Sequence, residues 1–446
     1  MGERESEGAN LRAESREPRA MGRGTIDRSP GFYDQAMETM APDARRHFLQ
    51  ERLRDILRHA GTLTTHLSLR LDAAGLCLEQ LREPDDLLRL PPLRKRELPP
   101  LQEKDPPFGG LVTVPTGTLQ RLFISPGPIY DPEGAGPNYW RMARAIYAAG
   151  FRRGDIALNT FAYHLTPAGS MCDEGLAALG CTVIPMGGGN TETQVQVLRH
   201  VQATGYVGTP GFLSTILQRA EEMGIDPLRD LWLEVAFVSG GMLPESLRAT
   251  MREKYGVNVT QAYASADLGL IAYECPRRSG MHLAEDLIVQ IADPETGQPV
   301  PDGAAGEVVV TTFNKVYPLI RFGTGDLSVL DPSVCACGRT TARLARILGR
   351  TDDATKIRGM FVHPGQLDVV MMEIPEVTRY QLVVRRKGFE DDLTLRVEGP
   401  TAGRDLAARL EARVRDAIKL RARVEVVPAG TLPADAKKIV DERTWE

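Results

Sequence analysis

Along residues 34–59 apolar side chains recur at helical spacing: Met37, Met40, Phe48, Leu49, Leu53, Ile56 and Leu57. Pro42 and Asp43 supply a helix start inside that run. The next stretch, LPPLRKRELPPLQEKDPP, interrupts the period with prolines and charges and reads as a surface connection. GGLVTVP follows it as the first apolar strand candidate. A helical pattern then covers residues 138–150, with Trp140, Met142, Ala143, Ile146 and Tyr147 on its apolar positions and Gly150 as its stop.

Beyond Gly150 short apolar runs alternate with helical ones. FRRGDIALNTF reads as a turn and a buried strand, and YHLTPAGSMCDEGLAALG as a helix. CTVIPMGGGNTETQV reads as a strand, a glycine turn and a helix start, with capping character from Thr191 to Gln194. The alternation continues through GYVGTPGFL, LEVAFVSGGML, LPESLRATMREKYG and VNVTQAYASADLG. This order predicts an α/β fold, a mostly parallel sheet with helices on both faces. Ligands of such sheets lie at the C-terminal strand ends, where the glycine turns fall.

After Leu287 the pattern changes to β-branched runs separated by D-P-E-T-G and P-D-G turns, which reads as hairpins of a β subdomain. After Gly359 come the strand-like LVVRR and LTLRVEG, a helix over residues 404–420, and RVEVV. A small α+β domain is expected there. The division predicted is a disordered tail over 1–30, a large N-terminal domain over 31–350 and a small C-terminal domain over 351–446. The tail is rich in Glu, Arg, Ser and Gly and buries little; Met21 is an alternative start.

Composition narrows the class. A length of 446 residues exceeds what one core usually serves. A net charge of −5 without a basic block argues against nucleic acid as main partner. No apolar run reaches the roughly 18 residues of a membrane span, and the N-terminus lacks the apolar stretch of a secretory signal. Six cysteines fit a reducing cytoplasm. Cys275 and His282, with Cys335 and Cys337 of a C-x-C-G knuckle, have the donor set of a closed structural zinc site. The competing reading is two unrelated clusters of small buried residues. Cys77, Cys172 and Cys181 sit in apolar contexts and are expected in the core.

Residues 321–359, RFGTGDLSVLDPSVCACGRTTARLARILGRTDDATKIRG, carry the densest chemistry. An acidic residue in a glycine turn, here Asp326 of T-G-D, accepts two hydrogen bonds from a ribose diol; it is otherwise a simple turn aspartate. Arg350 is suited to a phosphate. Two carboxylates beside Gly349, Asp352 and Asp353, make a polar joint. Together with CTVIPMGGGNTETQV, GYVGTPGFL, FVSGGMLPESLR and AYASADLG, this stretch resembles the phenylacetate-coenzyme A ligase family of adenylate-forming enzymes. The resemblance runs from about Gly31 to the end.

The resemblance implies roles. Gly240 and Gly241 would lie against adenine and Tyr263 would stack on it, with Ala264 and Ser265 beside it. Asp267 replaces the glutamate that partners Mg2+. Asp326 and Arg350 would hold the nucleotide, and Asp352 would be the hinge of a mobile C-terminal domain. Lys356 and Arg358 match basic residues presented after that hinge, or are exposed strand charges. Phe161 and Tyr163 would line an aromatic acid pocket, or simply pack the helix; His164 would lie near the acyl group and the entry of coenzyme A, or be structural. The family's phosphate loop is Ser/Thr/Gly-rich and ends in Lys-Pro; here QRLFISPGPIYDPEG keeps Ser125, Gly127 and Pro132 and has no lysine. In the tail TLPADAKKIVDER, an ungapped alignment puts Asp435 at the family's catalytic lysine, whereas a short shift puts Lys437 or Lys438 there.

Two functions follow. The first is an acid–thiol ligase using ATP, Mg2+ and coenzyme A to activate an aromatic or arylacetic acid through an acyl adenylate, releasing AMP and pyrophosphate. The second is a non-adenylating relative that binds AMP, an adenylate or a coenzyme A thioester as a regulatory module. A homodimer is the general expectation for a soluble enzyme.

Overall fold

The computed structural model describes residues 26–301, 303–351, 355–358, 360–362, 364–388, 390–399, 404–433 and 436–444. The runs YVG and VAFV are apolar at every position, as strands covered on both faces must be. They form Gly205–Gly208 and Val235–Val238, buried throughout. Val235 and Phe237 pack in one core with Met171 and Leu176, while Ala236 and Val238 pack in another with Leu213 and Leu247. This alternation places helices on both faces. Thr182–Pro185, Ile156–Asn159, Gly205–Gly208, Val235–Val238 and Asn258–Ser265 pair in that order, all parallel.

At Asn258–Ser265 the pairing turns antiparallel, with Gly269–Glu274. The sheet then continues through Met281–Leu283, Arg343–Arg350, Phe322–Asp331, Gly306–Thr312 and Leu287–Ala292. The expected β subdomain is therefore the antiparallel half of the same sheet, which has 12 strands among the described residues. Among these residues no helix is long and apolar enough to cross a membrane.

Several local expectations are corrected. GGLVTVP forms no strand. The helix over 138–150 reduces to Met142–Ala148, because Arg141 adopts φ 64° and the Asn138 side chain accepts from Ala143 N at 3.0 Å. The helix after Tyr163 begins only at Ala168, and Tyr163 and His164 lie in the loop before it. Cys77 is exposed, whereas Cys172 is buried and Cys181 half-buried. Arg28 bonds Asp155 at 2.7 Å and Glu234 at 2.8 Å, so packed structure begins before Gly31.

The C-terminal part has its own core, built from Leu382, Leu395, Leu410, Val414 and Ile439 among others. Its four-stranded sheet runs Arg423–Val427, Glu390–Glu398, Arg379–Lys387, Ile439–Asp441, and its helices are Pro364–Met372 and Arg404–Ile418. Asp352 and Asp435 lie outside the described residues, as does the side chain of Lys356.

The segment expected to hold phosphate is a two-stranded ribbon, Arg121–Ser125 against Ile129–Glu133, with Gly127 in its turn. Arg121 staples it to the helix Ala168–Leu179 by pairing with both Glu133 and Glu174. Burial, and then the Glu133 carboxylate, push Glu174 up to about 7 against the pull of Arg121. A carboxyl raised in the folded state stabilises while it is protonated, and that contribution disappears as it ionises. Stability from this group should therefore fall as pH rises from about 4.5 to about 7. Thermal denaturation across that window should show a shallower decline for Glu174→Gln than for the parent chain; equal slopes would refute the assignment.

Candidate nucleotide site and cysteine–histidine cluster

The T-G-D turn lies within the strand Phe322–Asp331, and Asp326 is paired in register with Arg350 of Arg343–Arg350. That register brings the Arg350 guanidinium to 3.1 Å from Asp326 Oδ1. On the other side Tyr263, near the end of Asn258–Ser265, donates its hydroxyl to Asp326 Oδ2 at 2.7 Å. Burial, and then the neighbouring Asp326 charge, hold the Tyr263 phenol well above its ordinary pKa, so it remains a donor. Gly325 has φ 78°, and a Cβ there would stand 2.9 Å from Arg350 Nη2. The glycine is thus required by both backbone and neighbour.

Three of the expected nucleotide residues are therefore in direct contact. An ionised carboxylate offers about four lone-pair positions. The two protein donors take one on each oxygen of Asp326, which leaves one on each for the two hydroxyls of a diol. Gly240 turns with φ 76°, and a Cβ on Gly241 would meet only Pro210 Cδ at 3.6 Å. Ala264 and Ser265 finish the Tyr263 strand, and the Ser265 hydroxyl accepts from Leu268 N at 3.2 Å.

Asp267 follows that strand with a fully buried side chain, and Lys95 Nζ lies 2.6 Å from its Oδ2. Burial opposes a charge on Lys95, but Asp267 and then Asp131 outweigh it and hold the amine above its ordinary pKa. The LPPLRKRELPP segment is therefore not a surface connection. Leu93–Arg94 pairs parallel with Phe322 and Gly323 of the T-G-D strand. Arg94 binds Glu307 at 2.7 Å, and Glu307 Oε1 accepts from Gly325 N at 3.1 Å. Sequence reasoning missed Lys95 because proline and charge signal exposure; its alternation of apolar and basic residues was the available clue.

The acyl-pocket residues are dispersed in role. Phe161 packs against the main core, and Tyr163 accepts from Asn159 Nδ2 at 2.8 Å. Burial, and then Asp173, push the Tyr163 phenol upward. His164 is exposed. Lys437 is exposed just before the strand Ile439–Asp441, and its carbonyl accepts from Gln381 Nε2 at 3.2 Å. Lys438 binds Asp368 at 2.6 Å.

The four metal-type residues do meet. The donor atoms of Cys275, His282, Cys335 and Cys337 all lie within 4.8 Å of one another. Cys275 and Cys335 sulfurs are 3.8 Å apart, and Cys337 Sγ is 3.3 Å from His282 Nε2. The His282 strand pairs with Gly269–Glu274, and Gly338 at φ 90° closes the knuckle by donating to Cys335 O at 3.2 Å. His282 Nδ1 faces Thr341 O at 3.2 Å, which leaves Nε2 for the cluster. The contact between the Cys275 and Cys337 thiols, aided by the His282 ring, holds Cys337 low and Cys275 high, as two sulfurs sharing one proton do.

Residues 138–314 match the family described as AMP-binding enzyme, and residues 359–443 match the AMP-binding enzyme C-terminal domain. A phenylacetate-coenzyme A ligase of Thermus thermophilus is 32% identical over 437 residues, covering 90% of this chain and 96% of its own. One from Aromatoleum evansii is 32% identical, covering 94% of this chain and 99% of its own. A solved structure of 2-hydroxyisobutyryl-CoA ligase, with 2-HIB-AMP and CoA in the thioesterification state, has a TM-score of 0.85 at 25% identity and covers 96% of this chain and 95% of that one. The same enzyme with 2-HIB-AMP in the postadenylation state has a TM-score of 0.69 over 96% and 95%. With near-complete coverage at this identity, and the T-G-D turn, its arginine and its tyrosine gathered on one carboxylate, the chain belongs to the phenylacetate-coenzyme A ligase family.

Proposed function

We propose that this protein joins an aromatic or arylacetic acid to coenzyme A in two steps at one site. The carboxylate attacks the α-phosphorus of ATP and pyrophosphate leaves; the coenzyme A thiol then attacks the acyl carbon and AMP leaves. The observation that carries this reading is Asp326, held by Tyr263 and Arg350 with lone pairs remaining for a ribose. Tyr263 would offer its ring to adenine, beside Gly240 and Gly241. Asp267 would hold Mg2+, which supplies positive charge to the departing pyrophosphate. The phenylacetate-named relatives support an arylacetic acid; the 2-hydroxyisobutyryl-CoA ligase fold supports a small hydroxy acid as the second choice.

In this reading residues 31–350 bind the nucleotide and 351–446 form the mobile part, with Asp352 at the joint. The higher similarity to a thioesterification-state structure than to a postadenylation-state one supports an arrangement suited to the second step. Lys437, on the C-terminal sheet domain, would then serve the first step after rotation, and Lys356 would be presented to the site near the hinge. Incubation with ATP, coenzyme A and an acid panel including phenylacetate, benzoate and 2-hydroxyisobutyrate should give acid-dependent AMP and acyl-CoA, most with the arylacetate. AMP binding without pyrophosphate exchange for any acid would favour the non-adenylating alternative instead.

The cysteine–histidine cluster is a structural zinc site in this reading. A tetrahedron with zinc–sulfur bonds of about 2.3 Å has sulfur–sulfur edges of about 3.8 Å and sulfur–nitrogen edges of about 3.5 Å. The observed 3.8 and 3.3 Å fit it. Four protein donors leave no open position, so the ion would brace the fold and take no part in the reaction.

Elemental analysis should find one zinc per chain, and Cys335→Ser should lose it together with thermal stability, since metal binding is coupled to folding. A normally folded parent chain without zinc would exclude the site. Asp326→Ala should weaken AMP binding by roughly 1.5 to 3 kcal/mol, about ten- to a hundredfold in Kd, as loss of a charge-assisted hydrogen-bond acceptor does. Unchanged AMP affinity by calorimetry would remove Asp326 from the site.

A further inference from the structure

A cleft of about 310 Å³ lies apart from the nucleotide site; none of Tyr263, Asp267, Asp326 and Arg350 lines it. Segments distant in sequence build it. The helix Pro42–Leu63 gives Arg52, and the turn before Met142–Ala148 gives Tyr139 and Arg141. Asp286 comes from just before Leu287–Ala292, and Asn314 and Lys315 from the loop after Gly306–Thr312. That loop is pinned: Asn314 Oδ1 accepts from Val316 N at 2.9 Å and from Tyr317 N at 3.2 Å.

The walls carry positive charge that the protein does not neutralise. Three cations, Arg52, Arg141 and Lys315, face one carboxylate, Asp286. That carboxylate is shared, lying 3.6 Å from Arg141 Nε and 3.7 Å from Arg144 Nη1. Among the described residues neither the Arg52 guanidinium nor the Lys315 ammonium has an ion pair or hydrogen bond; Arg52 only lies over the Phe313 ring, 5.6 Å from its centre. Arg141 is the deepest of the three, its side chain 13% exposed. It adopts φ 64°, uncommon for a residue with a Cβ. Its Nη2 donates to Leu268 O and to Leu270 O, the latter at 3.1 Å, while its Nη1 makes no hydrogen bond among the described residues. Burial, offset chiefly by Asp286, leaves this guanidinium below its ordinary pKa, as befits a cation short of counter-charge.

We propose that this cleft is a binding site for a phosphate-type dianion, separate from the nucleotide site and coupled to it through Arg141. The cationic excess of two matches a dianion, and a guanidinium fork matches the paired oxygens of a phosphate. Both inorganic phosphate and a phosphate monoester present that group, and the volume admits either. The coupling follows from the planarity of the guanidinium. An anion on its Nη1 side fixes the plane whose Nη2 holds the turn immediately after Asp267. The same turn is tied to the neighbouring residue, since Leu270 N donates to Trp140 O at 3.1 Å.

The test is calorimetric titration of the full chain, at constant ionic strength, with inorganic phosphate, with glycerol 3-phosphate and with malonate. One saturable phosphate should bind, more tightly than malonate. Tighter binding of the ester supports the site and identifies a phosphorylated metabolite as its source; tighter binding of inorganic phosphate supports it and identifies the free ion. Arg52→Gln and Lys315→Gln remove side chains that bond nothing in the protein; each should weaken phosphate severalfold and the pair at least tenfold, whereas Arg350→Gln should leave this binding intact. Absence of saturable binding overturns the proposal, as does a preference for malonate. So does binding that Arg350→Gln abolishes and the Arg52→Gln, Lys315→Gln pair does not, because the phosphate then occupies the nucleotide site. Hydrogen exchange reads the coupling: phosphate should slow the amide of Leu270, and an unchanged rate at saturation overturns the link through Arg141.

Discussion

The carboxylate of Asp326 is where the candidate nucleotide site converges. It joins three strands that are distant in sequence: its own, the Tyr263 strand and the Arg350 strand. Its position depends on Gly325, whose missing Cβ lets the arginine lie across the turn. The turn in turn leans on Glu307, which accepts from Gly325 N and holds Arg94 from the N-terminal side. A single side-chain anion thus sits at the end of a chain of directional contacts, each of which fixes the next. Such preorganisation is what a site needs to hold a diol and a phosphate without rearranging.

That site lies at the seam between the parallel and antiparallel halves of one sheet. Asn258–Ser265 belongs to both, pairing parallel on one side and antiparallel on the other. Tyr263, Asp267 and the turn to Gly269 therefore stand where the sheet changes character. The antiparallel half then returns the T-G-D strand to this seam, whereas the cysteine knuckle is the loop at the opposite end of the Phe322–Asp331 and Arg343–Arg350 pair. The ribbon carrying Asp131 and the segment carrying Lys95 close the remaining side.

The parallel half was legible because its central strands, Gly205–Gly208 and Val235–Val238, are apolar at every position and its helices carry a period of 3.6 residues. The meeting of the three cysteines and His282 was legible from donor types alone, even though 60 residues separate Cys275 from Cys335. What escaped was chemistry hidden by local composition. Lys95 lies among prolines and charges that ordinarily face water, yet burial and Asp267 fix it inside. Asp131 lies between Tyr130 and Pro132 in a run that looks like a turn, and only the ribbon's alternation shows that it points inward. The hairpins after Leu287 read as a separate unit because periodicity describes a strand and says nothing of which sheet it joins.

The knuckle that carries Cys335 and Cys337 also receives Glu38 and Arg45. Arg339 and Glu38 form an ion pair at 2.7 Å, each side chain 1% exposed. Thr340 N donates to Glu38 O at 3.1 Å, and the Thr340 hydroxyl accepts Arg45 Nη2, also at 3.1 Å, across 295 residues of chain. During synthesis these partners emerge far apart in time. At ribosomal rates of about 5–20 residues per second, some 300 residues correspond to roughly 15–60 s. For that interval the helices Gln35–Glu38 and Pro42–Leu63 have no knuckle to dock on, and Glu38 and Arg45 lack these partners. Completion of the N-terminal region is thus one of the last events of the large domain's assembly, although it is the first part of it to be made.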